Sequence, residues 1–505
     1  MRRKSSVMTL VFAMMTLVLF ACNDNDENNP NANNIGKLNI STTELTFGVD
    51  GGEATFSVDG GTAYVRSESN WISVSRVSSD SKSSTFSVVC EANKDTARVG
   101  SVLASLNGAY ERITITQAGK VSSPDGEQHT FRKASEVAKD MYPGWNLGNT
   151  MEATGNGVGA ETTWQQTKTS QEIINFIKSQ GFKSVRIPCS WYIHSKNGKI
   201  DEEWMARVKE VVDYCVNAGL YVLLNDHWDG GWIEELGFSK SAEKYQKVDD
   251  KYVSEKATAL KSLWLQIATA FQGYDEHVLF AGLNEPFQNY NLFNGRDAEL
   301  TPILLTYNQA FVDVVRSTGG NNANRILVVQ GPSTNIDLAC KDAFTMPTDV
   351  TEGRLMVECH YYDPWSFAGD QGNSAAWFWG EGNKGSNHNA TYSNTEAAVK
   401  SVMAKMHKKF VSKGIPAIIG EYAAQWREVG AEQELHDKSV KAWFKSVTLE
   451  CGNHGIVPMA WDINSLNRRG TQGTMTIFDR TNLKVFNQPA LDGIKEGVSE
   501  AKWPN

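Results

Sequence analysis

The chain reads as an α/β protein, a (β/α)8 TIM barrel preceded by a small all-β, immunoglobulin-like sandwich. Three observations predict this. Eight short apolar runs rich in strand-forming residues recur between Gly144 and Asp462. Helical periodicities separate them, and near-continuous apolar strands between amphipathic helices imply a parallel sheet covered on both faces. Ahead of them, from Leu38 to about Gly119, short segments alternate apolar and polar residues and are broken by turn residues, the texture of a sandwich.

In the sandwich region, 38–119, strands are expected at Leu45–Phe47, Ala54–Val58, Trp71–Val74, Thr85–Val88 and Ile113–Thr116, with turns at Asp50-Gly51-Gly52 and Asp59-Gly60-Gly61. Trp71 is expected in its core. A polar linker, 120–130, leads to the barrel, 131–505. Barrel strands are expected at Gly144–Gly148, Ser184–Pro188, Tyr221–His227, Val278–Glu285, Ile326–Gly331, Leu355–Tyr362, Ala417–Glu421 and Val457–Asp462. Between the second and third, Asp201 caps a helix whose apolar face is Trp204, Val208, Val211, Val212 and Cys215. Gly219 is its stop signal.

The first residues are an address rather than structure. Arg2, Arg3 and Lys4 precede an apolar run from Val7 to Phe20, too short for a comfortable membrane span and suited to a secretory leader. The run ends Leu19-Phe20-Ala21-Cys22, which resembles a bacterial lipobox, so 1–21 is expected to be a lipoprotein signal peptide and Cys22 the lipidation site. Residues 22–37, rich in Asn and Asp, make a flexible tether. Six further cysteines, Cys90, Cys189, Cys215, Cys340, Cys359 and Cys451, are scattered without a Cys-x-x-Cys pair, which leaves no zinc signature and suggests small buried side chains.

Composition narrows the partners. The 58 acidic against 49 basic residues, with no basic block after residue 4, argue against nucleic acid. Fifteen Trp and a 10% aromatic share supply flat faces suited to sugar rings, although most such rings fill cores. No two of the nine His have helical ligand spacing, so neither a metal nor a cofactor is implied.

The chemistry lies at the strand ends. Glu285, in Leu283-Asn284-Glu285-Pro286, and Glu421, in Ile418-Ile419-Gly420-Glu421-Tyr422, each close an apolar run. Carboxylates at the carboxyl ends of barrel strands stand at the mouth, where active sites sit. Two of them can flank one glycosidic bond as acid/base and nucleophile. Other strands deliver Arg186, His227, His360, Tyr362 and Trp461 at the same end.

Residues 130 to 500 therefore resemble glycoside hydrolase family five, through Gly144-Trp145-Asn146-Leu147-Gly148-Asn149-Thr150, Arg186-Ile187-Pro188, His227-Trp228, Asn284-Glu285-Pro286, His360-Tyr361-Tyr362, Gly420-Glu421-Tyr422 and Trp461-Asp462. The resemblance implies retaining hydrolysis of β-glycans, with Glu421 as nucleophile, Glu285 as acid/base, and their carboxyl groups about 5 to 5.5 Å apart. It implies that Arg186 keeps the Glu421 pKa low, that Tyr362 bonds Glu421, and that His360 orients Glu285. Asn284 would contact the sugar 2-hydroxyl, His227 other hydroxyls of the same ring, and Trp461 would be its stacking floor, with Asn149 nearby.

The opening Trp145-Asn146-Leu147-Gly148-Asn149-Thr150-Met151-Glu152-Ala153 resembles the endo-β-1,4-glucanases of that family, including those that accept xyloglucan; mannan and xylan remain open. Loops at Asp229–Trp232, Phe287–Asp297 and Pro364–Asn394 are candidates for sugar stacking or for loop cores. The sandwich resembles the BACON domain of Bacteroidetes lipoproteins, either a glycan binder or a spacer. The resemblance implies an outer-membrane lipoprotein facing outwards, a polysaccharide substrate and a monomeric catalytic domain. A non-catalytic glycan-binding lipoprotein is the alternative from another functional class.

Overall fold

The computed structural model describes residues 38–48, 51–93, 98–117, 130–233, 249–288, 295–391, 395–466 and 470–504. The leader, Cys22, the tether and nearly all of the linker lie outside the described residues, as do Asp50 and positions 289–294 and 392–394 of the expected loops.

The first region holds seven strands: β1 (Glu44–Phe47), β2 (Gly52–Asp59), β3 (Tyr64–Ser67), β4 (Ile72–Ser79), β5 (Ser83–Cys90), β6 (Arg98–Leu106) and β7 (Ala109–Gln117). They form two sheets, ordered β1-β7-β6-β3 and β2-β5-β4. Alternate residues of both sheets, among them Phe47, Phe56, Val58, Phe86, Val88, Val102, Ile113 and Ile115, make one apolar core, as the period-2 pattern requires. Strands β3 and β6 were not expected from the sequence. Trp71 corrects the reading of a core tryptophan: it is half-buried at the margin, its ring lying against Gly100, with the Arg98 guanidinium 4.3 Å from the ring centroid. Only a residue without a side chain leaves room for the indole there.

Eight parallel strands then close a barrel: β8 (Gly144–Asn146), β9 (Ser184–Ile187), β10 (Tyr221–Asn225), β11 (Val278–Ala281), β12 (Leu327–Gln330), β13 (Leu355–Tyr361), β14 (Ala417–Tyr422) and β15 (Ile456–Ala460). β8 pairs with both β9 and β15, which completes the ring. All eight expected strands are present, each shorter or shifted by a few residues except β14, which runs one residue further. The helix Glu202–Asn217 follows its sequence signals: Asp201 accepts the Trp204 N–H, and the five apolar residues are buried. Gly219 stands just beyond its end at φ +68°, where a side chain would be strained.

Side chains inside the barrel change character along its axis. The lower half is apolar, built from Leu223, Leu279, Val328, Met356, Ile418 and Val457. A short helix, α1 (Ala134–Asp140), stoppers this end with Ala134, Val137 and Ala138, joined by Met141. The upper half carries Asn146, Arg186, Asn225, Gln330 and Glu358, all buried. An interior that is dry at the base and charged at the mouth can support chemistry at one end without losing its core at the other. No helix among the described residues is long and apolar enough to cross a membrane.

Candidate active site

Two local irregularities aim the carboxylates. In β14, Ile419 and Glu421 pair with the consecutive residues Cys359 and His360 of β13. Gly420 is thus the extra residue of a β-bulge, and the bulge turns Glu421 towards the interior. The bulged position has no room for a side chain, because a Cβ on Gly420 would stand 1.8 Å from Oε1 of Glu358. Glu285, by contrast, does not end its strand. β11 stops at Ala281, and its pairing is continued by Gly282 N–H to the Val328 carbonyl at 3.1 Å and by Leu283 N–H to the Gln330 side chain at 2.8 Å. Asn284 and Glu285 are delivered beyond that last bond, over the mouth, and this corrects the sequence reading of a terminal strand residue.

The side chains converge on one another. Arg186, wholly buried, donates from Nη1 to Glu421 Oε1 at 2.9 Å and to Asn146 Oδ1 at 3.1 Å, and from Nη2 to Asn284 Oδ1 at 2.7 Å. Tyr362 donates its hydroxyl to Glu421 Oε2 at 2.9 Å. His360 Nδ1 stands 2.8 Å from Glu285 Oε1 and 3.6 Å from Glu421 Oε2. Potential ligand atoms of Glu285, His360 and Glu421 all lie within 4.8 Å of one another. This is the one grouping of metal-ligand type found among the described residues, and it follows from the closeness of the two carboxylates. Inverting hydrolases hold their carboxyl groups about 6.5 to 9.5 Å apart.

His227 and Trp461 form an offset parallel stack, with ring centroids 5.8 Å apart and planes 5° from parallel. Gly148 lies beneath the Trp461 indole, where its missing Cβ leaves space for the ring. Asn149 sits three residues beyond the last residue of β8. It takes φ +58° on the loop after β8, and Glu152 binds its backbone N–H. Among the described residues no hydrogen bond links its side chain to the carboxylate pair.

The electrostatics follow from burial and contact. Burial raises the Glu421 carboxyl above its usual range, His360 and then Arg186 pull it back, and Glu285 pushes it up again. Arg186 thus lowers it as expected, but the net direction is upward because burial outweighs the cations. The price of removing the carboxylate from water exceeds what the cations return. For His360 the balance falls the other way. Burial alone would lower it, yet Glu421 and the bonds to Glu285 and Glu358 push it up to about 9. Burial, with Arg186 and His360 beside it, holds His227 well below its usual value, so that ring is neutral. Burial and the adjacent Glu421 keep the Tyr362 phenol protonated, as a donor.

Several contributors were not singled out in the sequence. Glu358 lies beneath the site and Asn146 is a partner of Arg186. Asp229, at φ +47°, accepts the N–H groups of Trp191 at 2.8 Å and Ile193 at 3.0 Å, and that of Tyr192 between them. Of the loop aromatics, Trp232, Phe378 and Trp379 are loop core, and Trp377 stacks on His388 at 3.9 Å. Trp365 is left 60% exposed, edge-on to Tyr362 at 6.3 Å. Trp164, Tyr192 and Trp228 are also exposed. The six described cysteines are unpaired, and all but Cys340 are buried.

Comparison with known proteins gives this geometry a context. Residues 151–467 match the family model described as cellulase, glycosyl hydrolase family 5. Residues 37–120 match the model described as a viral BACON domain. Endoglucanase A of Paenibacillus barcinonensis is 34% identical over 385 residues, 72% of this chain and 90% of its own. A xyloglucan-specific β-1,4-glucanase from a ruminal metagenomic library, solved in complex with XXLG, is 55% identical, with a TM-score of 0.70 over 74% of this chain and 98% of its own. A Bacteroides ovatus family 5 xyloglucanase, solved with a XXXG heptasaccharide, is 28% identical, with a TM-score of 0.64 over 92% of this chain and 100% of its own.

Proposed function

Because this chain belongs to glycosyl hydrolase family 5, and its relatives include endoglucanases, we propose that it cleaves xyloglucan by a retaining double displacement. The observation that supports the mechanism is the approach of Glu285 and Glu421 oxygens to within 4.8 Å, closer to the about 5 to 5.5 Å spacing of retaining enzymes than to the about 6.5 to 9.5 Å of inverting ones. Xyloglucan as substrate is supported by the 55%-identical xyloglucanase.

In the first step Glu421 attacks the anomeric carbon while Glu285 gives its proton to the leaving oxygen. Tyr362 and Arg186 each hold one oxygen of Glu421, which fixes the direction of attack and favours the ionised form. Arg186 also holds the Asn284 carbonyl, so the Asn284 amide N–H groups face away from it, free to meet a sugar hydroxyl. In the second step Glu285 takes a proton from water, which attacks on the face the leaving group left, opposite Glu421, and breaks the glycosyl ester bond to it. His227 is neutral and can both donate to and accept from hydroxyls, and the Trp461 face offers an apolar floor.

We propose in addition that Cys22 carries a lipid and that the enzyme faces outwards from the outer membrane. The basic start, the apolar run and Ala21-Cys22 support that reading. Labelling with a radioactive fatty acid, lost in Cys22→Ser, tests it.

Product release from xyloglucan, plain β-glucan, mannan and xylan tests the activity, with NMR of the first-formed anomer reporting stereochemistry. Faster release from xyloglucan with a β-anomer first is the expected result. No release from any of the four polymers overturns the proposal.

A further inference from the structure

Beneath the catalytic pair lies a third carboxylate that the reaction does not touch. Glu358 sits two residues before His360 on β13, wholly buried. Its Oε1 is 2.9 Å from Arg186 Nε and 3.3 Å from His360 Nε2. Its Oε2 accepts the Gln330 amide at 2.7 Å. Gly420, the bulge residue, leaves the space that the carboxylate fills.

The consequence falls on His360. One ring nitrogen faces Glu285 and the other faces Glu358. An ionised carboxylate accepts and cannot donate, and a neutral imidazole has only one N–H. While Glu285 is ionised, both contacts are hydrogen bonds only if the ring carries both protons. We propose that Glu358 is a positioning residue that keeps His360 as the doubly protonated imidazolium, so that His360 can only donate to Glu285 and never takes the proton meant for the glycosidic oxygen. This inference rests on the acid/base reading of Glu285.

Every charged or titratable group around the ring enters the balance. Arg186 faces it from β9, His227 from beyond β10, Glu285 from beyond β11 and Glu421 from β14, with Glu358 on its own strand and Tyr362 just past that strand's end. Arg186 opposes the positive charge, the neutral His227 adds none, and the carboxylates favour it. Arg186 and His360 in turn hold Glu358 below the usual carboxylate range against the effect of its burial. A neutral His360 would present an acceptor at Nδ1, and the Glu285 proton would then have two destinations. The bond to Glu358 removes one of them.

The test is histidine-selective 15N NMR of the whole chain, with the His360 signals assigned by their loss in His360→Asn. In the wild type both ring nitrogens are expected to be protonated at pH 7.5. In Glu358→Gln the titration midpoint of that ring is expected to fall by about one pH unit or more, the effect of one contacting charge. The alkaline limb of the rate profile should move down with it, and at pH 8 kcat should fall about 10-fold while KM stays within about 2-fold. If Glu358→Gln does not fold, Glu358→Asp, which withdraws the carboxylate from the ring, is read in the same way. A neutral His360 in the wild type at pH 7.5, or an unmoved midpoint in the variant, overturns the proposal. A chain that cleaves no glucan but shows the midpoint shift would sink the functional proposal and leave the charge assignment of His360 standing. An active enzyme with an unmoved midpoint would do the reverse.

Discussion

The hydroxyl of Tyr362 donates to Oε2 of Glu421 across 2.9 Å, so the proposed nucleophile is held by a neutral donor on one oxygen and a cation on the other. A hydrogen bond to a charged group is worth about 1.5 to 3 kcal/mol. Tyr362→Phe should therefore lower kcat on glucan about 10- to 100-fold and leave circular dichroism unchanged. Steady-state kinetics on a soluble β-glucan check this, and a loss below about 2-fold would show that the phenol does not support attack.

The two carboxylates should fail differently. Glu421→Gln removes the attacking group and should cost about 10⁴-fold or more on every substrate. Glu285→Ala removes proton transfer and should cost about 10² to 10⁴-fold on polysaccharide, but much less on an aryl glycoside whose leaving group needs no proton. Equal losses of Glu285→Ala on both substrates would contradict the acid role.

The raised His360 makes stability depend on pH. Below its ordinary value of 6.5 the ring is charged in folded and unfolded chains alike, and its stabilisation is fully present. As pH rises towards about 9, the unfolded state has already released the proton and the stabilisation is lost. The barrel should therefore melt a few degrees lower at pH 9 than at pH 6.5, and His360→Asn should flatten that slope. Calorimetry at matched ionic strength reads both.

Trp365 should act on binding alone. Its exposed ring touches the Tyr362 edge rather than the core, so Trp365→Ala should raise KM for long glucans about 3- to 10-fold, the worth of one aromatic contact, with kcat little changed. A large fall in kcat with KM unchanged would place the ring nearer the reacting sugar than the exposed position suggests.

The sequence was legible where a pattern is local. Apolar runs such as Tyr221–Leu224 and the capped helix after Asp201 carry their own signals, and the closed barrel followed from them. β6 was missed because Val99, Gly100, Ser101, Val102, Leu103, Ala104 and Ser105 offer little contrast between faces, and small residues suffice where the sheets pack closely. Glu285 was placed at a strand end because Val278–Leu283 reads as one apolar run, whereas the pairing passes from the backbone to the Gln330 side chain before it. Glu358 gave no signal at all. An acidic residue in an apolar strand makes sense only once Arg186 and His360, from elsewhere in the ring, are known to surround it, and a linear pattern does not carry such partners.

The helical stopper of the barrel has a consequence for where a polymer can be attacked. Ala134–Asp140 closes the base and leads straight into β8, so the chain arrives from the side opposite the reaction. The reacting carboxylates stand at the end this stopper leaves uncovered. Threading is unnecessary, and a bond in the middle of the polymer is as reachable as one at its tip.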